Sequence, residues 1–316
     1  MKNEFPSKRD LYEAMEYVQQ YAHRTPILSS GMINEKLGCT VYFKSEHLQK
    51  TGSFKARGAL NALLSLKADI EPKGVVTHSS GNHGQALAWA SNLLGIAAVV
   101  VVPRNAPTVK VEAIQAYGAE VFFCEPNLES REEHCFRIHK ERGYVIIPPF
   151  DDYRIIAGQS TMMQEILGQI DDLDCAIVPV GGGGLLSGSL LAAERSSKEL
   201  LVFGAEPSAS GDAMESFKTG VRVRTGGAET IADGLRTALG ERNFEIISKK
   251  ADGILPASED NIKLALKWIY MYLKQAVEPS AAVSLAAILE NAEVFRGKKV
   301  VSILCGGNLD LKALPF

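Results

Sequence analysis

Short apolar runs rich in valine and isoleucine alternate along the chain with longer stretches whose apolar residues recur every three or four positions. The short runs predict strands at 41–44, 74–78, 97–102, 120–124, 144–147, 175–180, 201–205, 253–256 and 299–305. The periodic stretches predict helices at 84–94, 109–117, 130–141, 156–169, 185–195, 260–273 and 280–291. Several strand runs are apolar throughout rather than alternating, as parallel strands covered on both faces are. Strand, helix and strand repeated with short loops implies right-handed crossovers in a mostly parallel α/β sheet. No low-complexity tract or internal repeat interrupts the pattern. The stretch 148–153, Pro-Pro-Phe-Asp-Asp-Tyr, is the candidate crossing between two domains.

Composition narrows the class. A chain of 316 residues that is 46% hydrophobic and 22% charged can bury a sizeable core, as one large domain or two ordinary ones. Its 34 basic and 37 acidic side chains nearly cancel, and no basic stripe carries interleaved aromatics, so nucleic acid is not an expected partner. The first residues are polar and no run approaches 18 apolar residues, so neither a signal peptide nor a membrane span is expected, and the location is read as cytoplasmic. Five cysteines, an odd number with no CxxC pair, argue for reduced buried thiols rather than a disulfide framework or structural zinc.

Five short motifs carry chemistry. Lys55, in Thr51-Gly-Ser-Phe-Lys-Ala-Arg-Gly58, follows a strand-like run and is boxed by glycines. A lysine amine so placed can form a Schiff base with an aldehyde cofactor, although a lone lysine is more often a solvated charge. His78-Ser-Ser-Gly-Asn-His-Gly84 joins a strand to a helix and offers hydroxyls, an amide and free N–H groups to an anion, or simply caps the helix. Gly181-Gly-Gly-Gly-Leu-Leu-Ser-Gly188 follows the run 175–180, and four consecutive glycines make sense where backbone amides must approach a phosphate closely. Glu206 and Asp212, in Glu-Pro-Ser-Ala-Ser-Gly-Asp, would suit a hard divalent cation or, equally, a helix cap with a surface acid. Cys305, in Leu304-Cys-Gly-Gly-Asn308, ends a strand, where open α/β sheets bind ligands. A competing reading takes Gly181-x-Gly183 with Glu206 as a dinucleotide fingerprint, but Leu186 stands where the third glycine belongs.

Taken in order, SFKARGA, SSGNHGQA, GGGGLLSG, the Glu-Pro-Ser turn and CGGN resemble the serine/threonine dehydratase group of fold-type II pyridoxal-phosphate enzymes, and within it the serine racemases. The similarity runs from Thr25 to Asn308, and the joint occurrence of the motifs is specific where each alone is not. It implies two three-layer open-sheet α/β domains of the tryptophan synthase β-like class with the cofactor between them: a large domain of 1–66 and 150–316 and a small mobile one of 67–149. It implies Lys55 as cofactor anchor and base, Phe54 against the ring, and Asn82 on the ring 3-hydroxyl. Gly181, Gly182, Gly183, Gly184 and the Leu185 amide would hold the phosphate, with Gly234 packed nearby and Cys305 at the pyridine nitrogen. Ser79, Ser80, Asn82 and His83 would receive the substrate carboxylate, and Arg131 would approach on closure. Glu206, Asp212 and the Ser210 carbonyl would hold Mg²⁺, Ca²⁺ or Mn²⁺. A homodimer is implied, and an activating ATP is compatible with Thr51, Gln85 and Tyr117.

The activity so implied is interconversion of L- and D-serine, with elimination of serine to pyruvate and ammonia. Racemisation needs proton transfer on both faces of one carbon, and Ser80 is the residue the resemblance sets opposite Lys55, where threonine dehydratases usually carry alanine. Two departures leave dedicated dehydration of serine, threonine or threo-3-hydroxyaspartate open. Cys305 replaces the serine usual in racemases, and Phe150-Asp-Asp-Tyr153 reads like the dehydratase form of that loop. That loop also lacks the serine run of related aspartate racemases, which argues against aspartate as main substrate. A ligand-binding relative without catalysis is the reading from another class, and the intact motifs argue against it.

Overall fold

Residues 5–69, 73–196, 199–224, 229–309 and 311 are described by this computed structural model. Among them, ten strands sort into two sheets. They are β1 (Ile27–Ser29), β2 (Thr40–Lys44), β3 (Val75–His78), β4 (Ala98–Pro103), β5 (Glu120–Cys124), β6 (Val145–Ile146), β7 (Cys175–Pro179), β8 (Leu201–Pro207), β9 (Gly253–Ala257) and β10 (Lys299–Ile303). The larger sheet runs β1-β2-β10-β7-β8-β9 and the smaller β5-β4-β3-β6. Every pairing is parallel except β1 with β2, where Leu28 faces Phe43 antiparallel. The wholly apolar run behaves as expected: β4 is buried at every position between β3 and β5. Pro256 is accommodated because β9 is an edge strand.

All nine predicted strands and all seven predicted helices are present, with ends shifted by a few residues. The 260–273 helix is the exception in kind. It is α-helical over Glu259–Trp268, then widens into a π-turn, Ile269–Leu273, that Lys274 ends with a left-handed φ of 59°. Short 3-10 turns aside, seven described elements had no expectation: β1 and the helices Lys8–Gln19, Gly31–Leu37, Lys55–Asp69, Asp212–Thr219, Glu241–Lys250 and Ala292–Phe295. The first of these is fixed by a capping box, Ser7 and Asp10 each accepting the other's backbone N–H.

Two features hold the Lys55–Asp69 helix in place. Its Arg57 is fully buried and forked between two carboxylates: Nε and Nη2 donate to Glu46 at 2.7 and 2.9 Å, and Nη1 and Nη2 donate to Glu165 at 2.7 and 2.9 Å. Lys44 Nζ donates to the same Glu165 at 2.6 Å, so two buried cations balance two buried anions. Such a cluster tolerates no missing member, since removing one partner strands a buried charge at a cost of about 3–5 kcal/mol. Close backbone approach is the second feature. A Cβ at Gly158 of the helix Tyr153–Leu167 would lie 2.7 Å from Gly58 Cα, and one at Gly188 of the helix Gly184–Ala193 would lie 2.6 Å from Ile156 O. The three helices therefore stack in order, and the first and third begin at Lys55 and at the glycine run.

The smaller sheet is drawn wholly from 75–146, and the larger from segments on either side. The apolar core forms one cluster against the larger sheet and two against the smaller, and Ala59, Leu60, Leu63 and Ile155 from outside 75–146 join the smaller sheet's side.

Candidate active site

Lys55 opens its helix half-buried, and its Nζ donates to Pro149 O at 2.8 Å. The amine lies 5.1 Å from the Phe54 ring centroid and 5.9 Å from that of Phe150. Burial brings it down from the ordinary lysine range to about 8, against the opposing pull of Cys305 and Glu278. An amine with that value supplies an appreciable unprotonated fraction near neutrality, as a base or nucleophile requires. Cys305 is nearly inaccessible, and burial drives its thiol well up, so it stays neutral beside the amine. The two segments are sewn together: Phe54 N donates to Cys305 O at 3.1 Å, and Ser53 bridges Gly306.

The Ser-Ser-Gly-Asn turn follows β3 and opens the helix Asn82–Leu94. Gly81 N donates to Ser79 Oγ at 3.3 Å, and Ser80 is half-buried beside it. Asn82 reaches across to the larger sheet's side. Its Nδ2 donates to both carboxyl oxygens of Glu278, at 2.9 and 3.2 Å, and its Oδ1 accepts from Asn308 Nδ2 at 2.8 Å. His83 is buried, with Nε2 3.3 Å from Ile147 O. Burial, with Lys55 nearby, pulls its imidazole down to about 3, so it is neutral and bears no charge for a carboxylate. Arg131, on the helix Leu128–Arg142, has a buried Nε with no partner among the described residues and lies close enough to His78 to oppose its protonation.

The four glycines follow β7. Gly183 is the N-cap of the helix Gly184–Ala193 with a φ of 90°, and it offers no side chain to the first-turn N–H groups. The run leaves little room for side chains: a Cβ at Gly182 would lie 2.4 Å from the Phe150 ring, one at Gly183 2.9 Å from Asn243 Cβ, and one at Gly181 3.0 Å from Leu235 Cα. Leu185 is buried behind the loop. Gly234 N donates to Ser280 Oγ at 3.0 Å, which holds the Ala232–Leu235 turn against Gly181. Uncapped amides at a helix N-terminus, closed in by backbone and an aromatic ring, form an anion cradle.

Glu206, near the end of β8, is 3% exposed. It accepts Ala213 N and Met214 N at 2.9 and 3.0 Å, capping the helix Asp212–Thr219 from a distance. Burial pushes its carboxyl up to about 7; the two N–H bonds oppose this, and the neighbouring Asp212 adds to it. Its oxygens are turned to the start of that helix, which is not the ribose contact that the dinucleotide reading requires. Ser210 and Asp212 are buried beside it. Among the described residues, no three His, Cys, Asp or Glu side chains converge as a metal cluster.

The structure thus brings Lys55, Phe54, Cys305, Asn82 and the Ala232–Leu235 turn to one cleft, with Phe150 linking Lys55 to the glycine loop. The Glu206–Asp212 pair lies at the C-terminal end of β8, one strand over from the end of β7 that leads into the glycine run, where Val180 N donates to Ala205 O at 2.8 Å. Three groups of the cleft had no expectation: Glu278, Phe150 as a wall, and the Pro149 carbonyl. Burial pushes Glu278 up to about 7, reinforced by Asp233. Among the described residues, no helix is long and apolar enough to cross a membrane.

A family model described as pyridoxal-phosphate dependent enzyme matches residues 18–306. Over 312 residues the chain is 45% identical to a serine racemase of Dictyostelium discoideum, covering 97% of this chain and 96% of that protein. It is 42% identical over 308 residues to an L-threo-3-hydroxyaspartate ammonia-lyase of Saccharomyces cerevisiae, covering 97% and 94%. Among solved structures, that of maize serine racemase is similar with a TM-score of 0.95 at 39% identity, covering 98% and 96%.

Proposed function

We propose, from the premise that the chain belongs to the pyridoxal-phosphate-dependent enzymes, that it interconverts L- and D-serine and also eliminates serine to pyruvate and ammonia. The observation that carries this reading is the half-buried Lys55 amine, brought to about 8 by burial, in one cleft with Asn82 of the serine-bearing turn and a neutral thiol. The cleft fits pyridoxal phosphate. An uncapped glycine helix N-terminus with little room for side chains suits the phosphate, and a buried thiol suits an unprotonated pyridine nitrogen. When bound, that group supplies an electron sink that acidifies the substrate's Cα–H.

The chain's own residues then divide the work. Gly181, Gly182, Gly183, Gly184 and the Leu185 amide hold the phosphate, and Asn82 bonds the ring 3-hydroxyl. Lys55 would hold the cofactor at its aldehyde and move a proton at Cα on one face. Ser80 moves it on the other, and the Ser79–His83 turn receives the substrate carboxylate through its amides and hydroxyls. Phe54 and Phe150 exclude water around the amine. The unit 67–149, which carries the serine turn and Arg131, closes over the substrate held between the sheets. Incubation with L-serine followed by chiral separation and pyruvate assay tests the reading: D-serine and pyruvate should both accumulate. Pyruvate without D-serine would assign the chain to dedicated ammonia-lyases, the reading that similarity to the yeast enzyme favours.

The reading extends to a divalent cation, Mg²⁺ or alternatively Ca²⁺ or Mn²⁺, held by Glu206, Asp212 and the Ser210 carbonyl. Two adjacent buried carboxylates, one raised to about 7, would gain from a positive charge between them. Stripping the protein with a chelator should then lower its unfolding midpoint by several degrees, at ~2–4 °C per kcal/mol lost, and Mg²⁺ should restore it. An unmoved midpoint would leave Glu206 as a helix cap alone. We also propose a cytoplasmic homodimer, in keeping with five buried free thiols suited to a reducing compartment. ATP is proposed to bind near Thr51, Gln85 and Tyr117, where the buried Thr51 hydroxyl has no partner among the described residues. Sedimentation, and assay with and without ATP, check these two.

A further inference from the structure

Asn82 sits in a chain of hydrogen bonds with a group at one end that can only accept. At one end the Thr51 carbonyl takes Asn308 Nδ2 at 2.7 Å, and the same nitrogen donates to Asn82 Oδ1 at 2.8 Å. At the other end the Glu278 carboxylate takes Asn82 Nδ2 through both oxygens. The Thr51 carbonyl has no hydrogen to give, so it dictates the sense of Asn308 and, through that shared nitrogen, of Asn82, while Glu278 in its ionised form accepts at the other end. Asn308 must turn its nitrogen inward, and Asn82 must turn its oxygen to Asn308 and its nitrogen to Glu278.

The surroundings leave no room for rearrangement. A Cβ at Gly306 would lie 2.5 Å from Glu278 Oε1 and 3.1 Å from Asn82 Nδ2, and one at Gly52 would lie 2.6 Å from Asn308 Oδ1. Glu278 is itself held by its own N–H, which donates to Gly306 O at 3.1 Å, and it opens the helix Pro279–Glu290 as N-cap. It is 6% exposed and borders the cleft, where it bears on Lys55. A buried carboxyl at a cleft wall with two bonds to one amide is an expensive arrangement unless that amide's orientation matters.

We propose that Glu278 and Asn308 are positioning residues that lock the Asn82 amide with its NH₂ as the donor on the cleft side, so that a donor and never an acceptor meets the ring oxygen of the cofactor. The inference rests on the pyridoxal-phosphate reading above. The amide nitrogen has two hydrogens, one for Glu278 and one for the ligand. A donor at the ring oxygen favours its ionised form, which absorbs in the visible; a rotated amide would present a lone pair and favour the neutral form, which absorbs in the near ultraviolet.

The test uses the cofactor-loaded protein and three variants: Glu278→Ala, Glu278→Gln and Asn308→Ala. For each, the ratio of visible to near-ultraviolet absorbance, the dissociation constant for pyridoxal phosphate and the unfolding midpoint are measured. Both alanine variants should move absorbance toward the near ultraviolet and weaken cofactor binding about tenfold or more. Glu278→Gln keeps a carbonyl acceptor for Asn82 and should recover most of both. A merely structural role would shift the midpoint and leave the absorbance ratio of the folded protein alone. Wild-type ratios in the alanine variants would overturn the proposal. So would a glutamine variant as impaired as the alanine one, because negative charge rather than the acceptor would then be what matters. Should Glu278→Ala not fold, Asn308→Ala probes the other end with the same outcomes. A wild-type protein with no visible band sensitive to Lys55→Ala would refute the cofactor reading itself, whereas a normal wild-type band with unaffected variants refutes only the positioning role.

Discussion

Lys55→Ala is expected to give a folded protein that takes up no visible absorbance from pyridoxal phosphate and loses both racemisation and elimination by at least about 10³-fold. The fold should survive because Lys55 contributes little to it. Its Nζ makes a single hydrogen bond, to Pro149 O, and the helix it opens is held instead by Arg57 and by close packing at Gly158. Alanine is also the better helix former. The amine is a cost to the apo-protein: burial depresses its proton affinity to about 8, so at neutral pH the folded chain holds a charged group where the charged form is disfavoured. Alanine should therefore leave the cofactor-free unfolding midpoint unchanged or raise it. The pattern to look for is colour and turnover lost together with stability kept. A visible band that persists in Lys55→Ala with turnover intact would transfer the anchoring role elsewhere and dissolve the site as drawn.

The parts of this molecule that could be read in advance are those whose meaning is local. β4 is apolar at all six positions because both its faces are covered, and that burial is written in Val99, Val100, Val101 and Val102 themselves. The glycine run, likewise, implies close backbone approach wherever it folds. Elements set by tertiary contact were not legible. β1 is three residues long with no buried position, and it exists because β2 offers it an edge. The Lys55–Asp69 helix carries a weak apolar face; it is fixed by Arg57, whose partners lie 11 and 108 residues away along the chain. Glu278 precedes Pro279 at a helix start, where an acidic residue is ordinary, and only the side chain of Asn82, 196 residues distant, gives it a role. Phe150 was visible as part of a domain crossing, but its ring wedged against Gly182 and facing Lys55 was not. His83 shows the converse limit. Its place in the serine turn invites a cationic role, yet burial, with Lys55 nearby, keeps it neutral, so the carboxylate we propose at this turn would rest on amides and hydroxyls.

Separate sheets supply the two proton-transfer groups we propose, and this makes their effects separable. Lys55 is tied to the end of β10 in the larger sheet through Phe54 N and Cys305 O, although the helix it opens packs Ala59, Leu60 and Leu63 into the smaller sheet's core; Ser80 belongs to the turn after β3 of the smaller sheet. Asn82 bonds across between them, so the serine turn is referenced to the same wall that carries Glu278 and Cys305. Small changes in how the units approach would alter access from the Ser80 face while leaving the Lys55 face intact. On this view the balance between racemisation and elimination is a property of the serine turn, and its seating, more than of the lysine.

Ser80→Ala should accordingly cost racemisation about 10²–10⁴-fold, the range for loss of one acid–base group, while elimination from L-serine stays within a few-fold of wild type. The asymmetry follows from faces. If Lys55 takes the proton of L-serine and Ser80 that of D-serine, the variant keeps every group that the L-enantiomer needs to lose its Cα proton and β-hydroxyl. It lacks the group that starts the same reaction from D-serine, so elimination from D-serine should fall in parallel with racemisation. In deuterated water the variant should still exchange the Cα proton of L-serine with retention, because Lys55 both removes and returns it on one face. Wild type should place deuterium in both enantiomers. Folding is not at issue, since Ser80 is half-buried in a turn and alanine fits its space. Equal loss of L-serine elimination, D-serine elimination and racemisation would make Ser80 a carboxylate ligand only. Unimpaired racemisation would move the second acid–base role to another group on the smaller sheet's side.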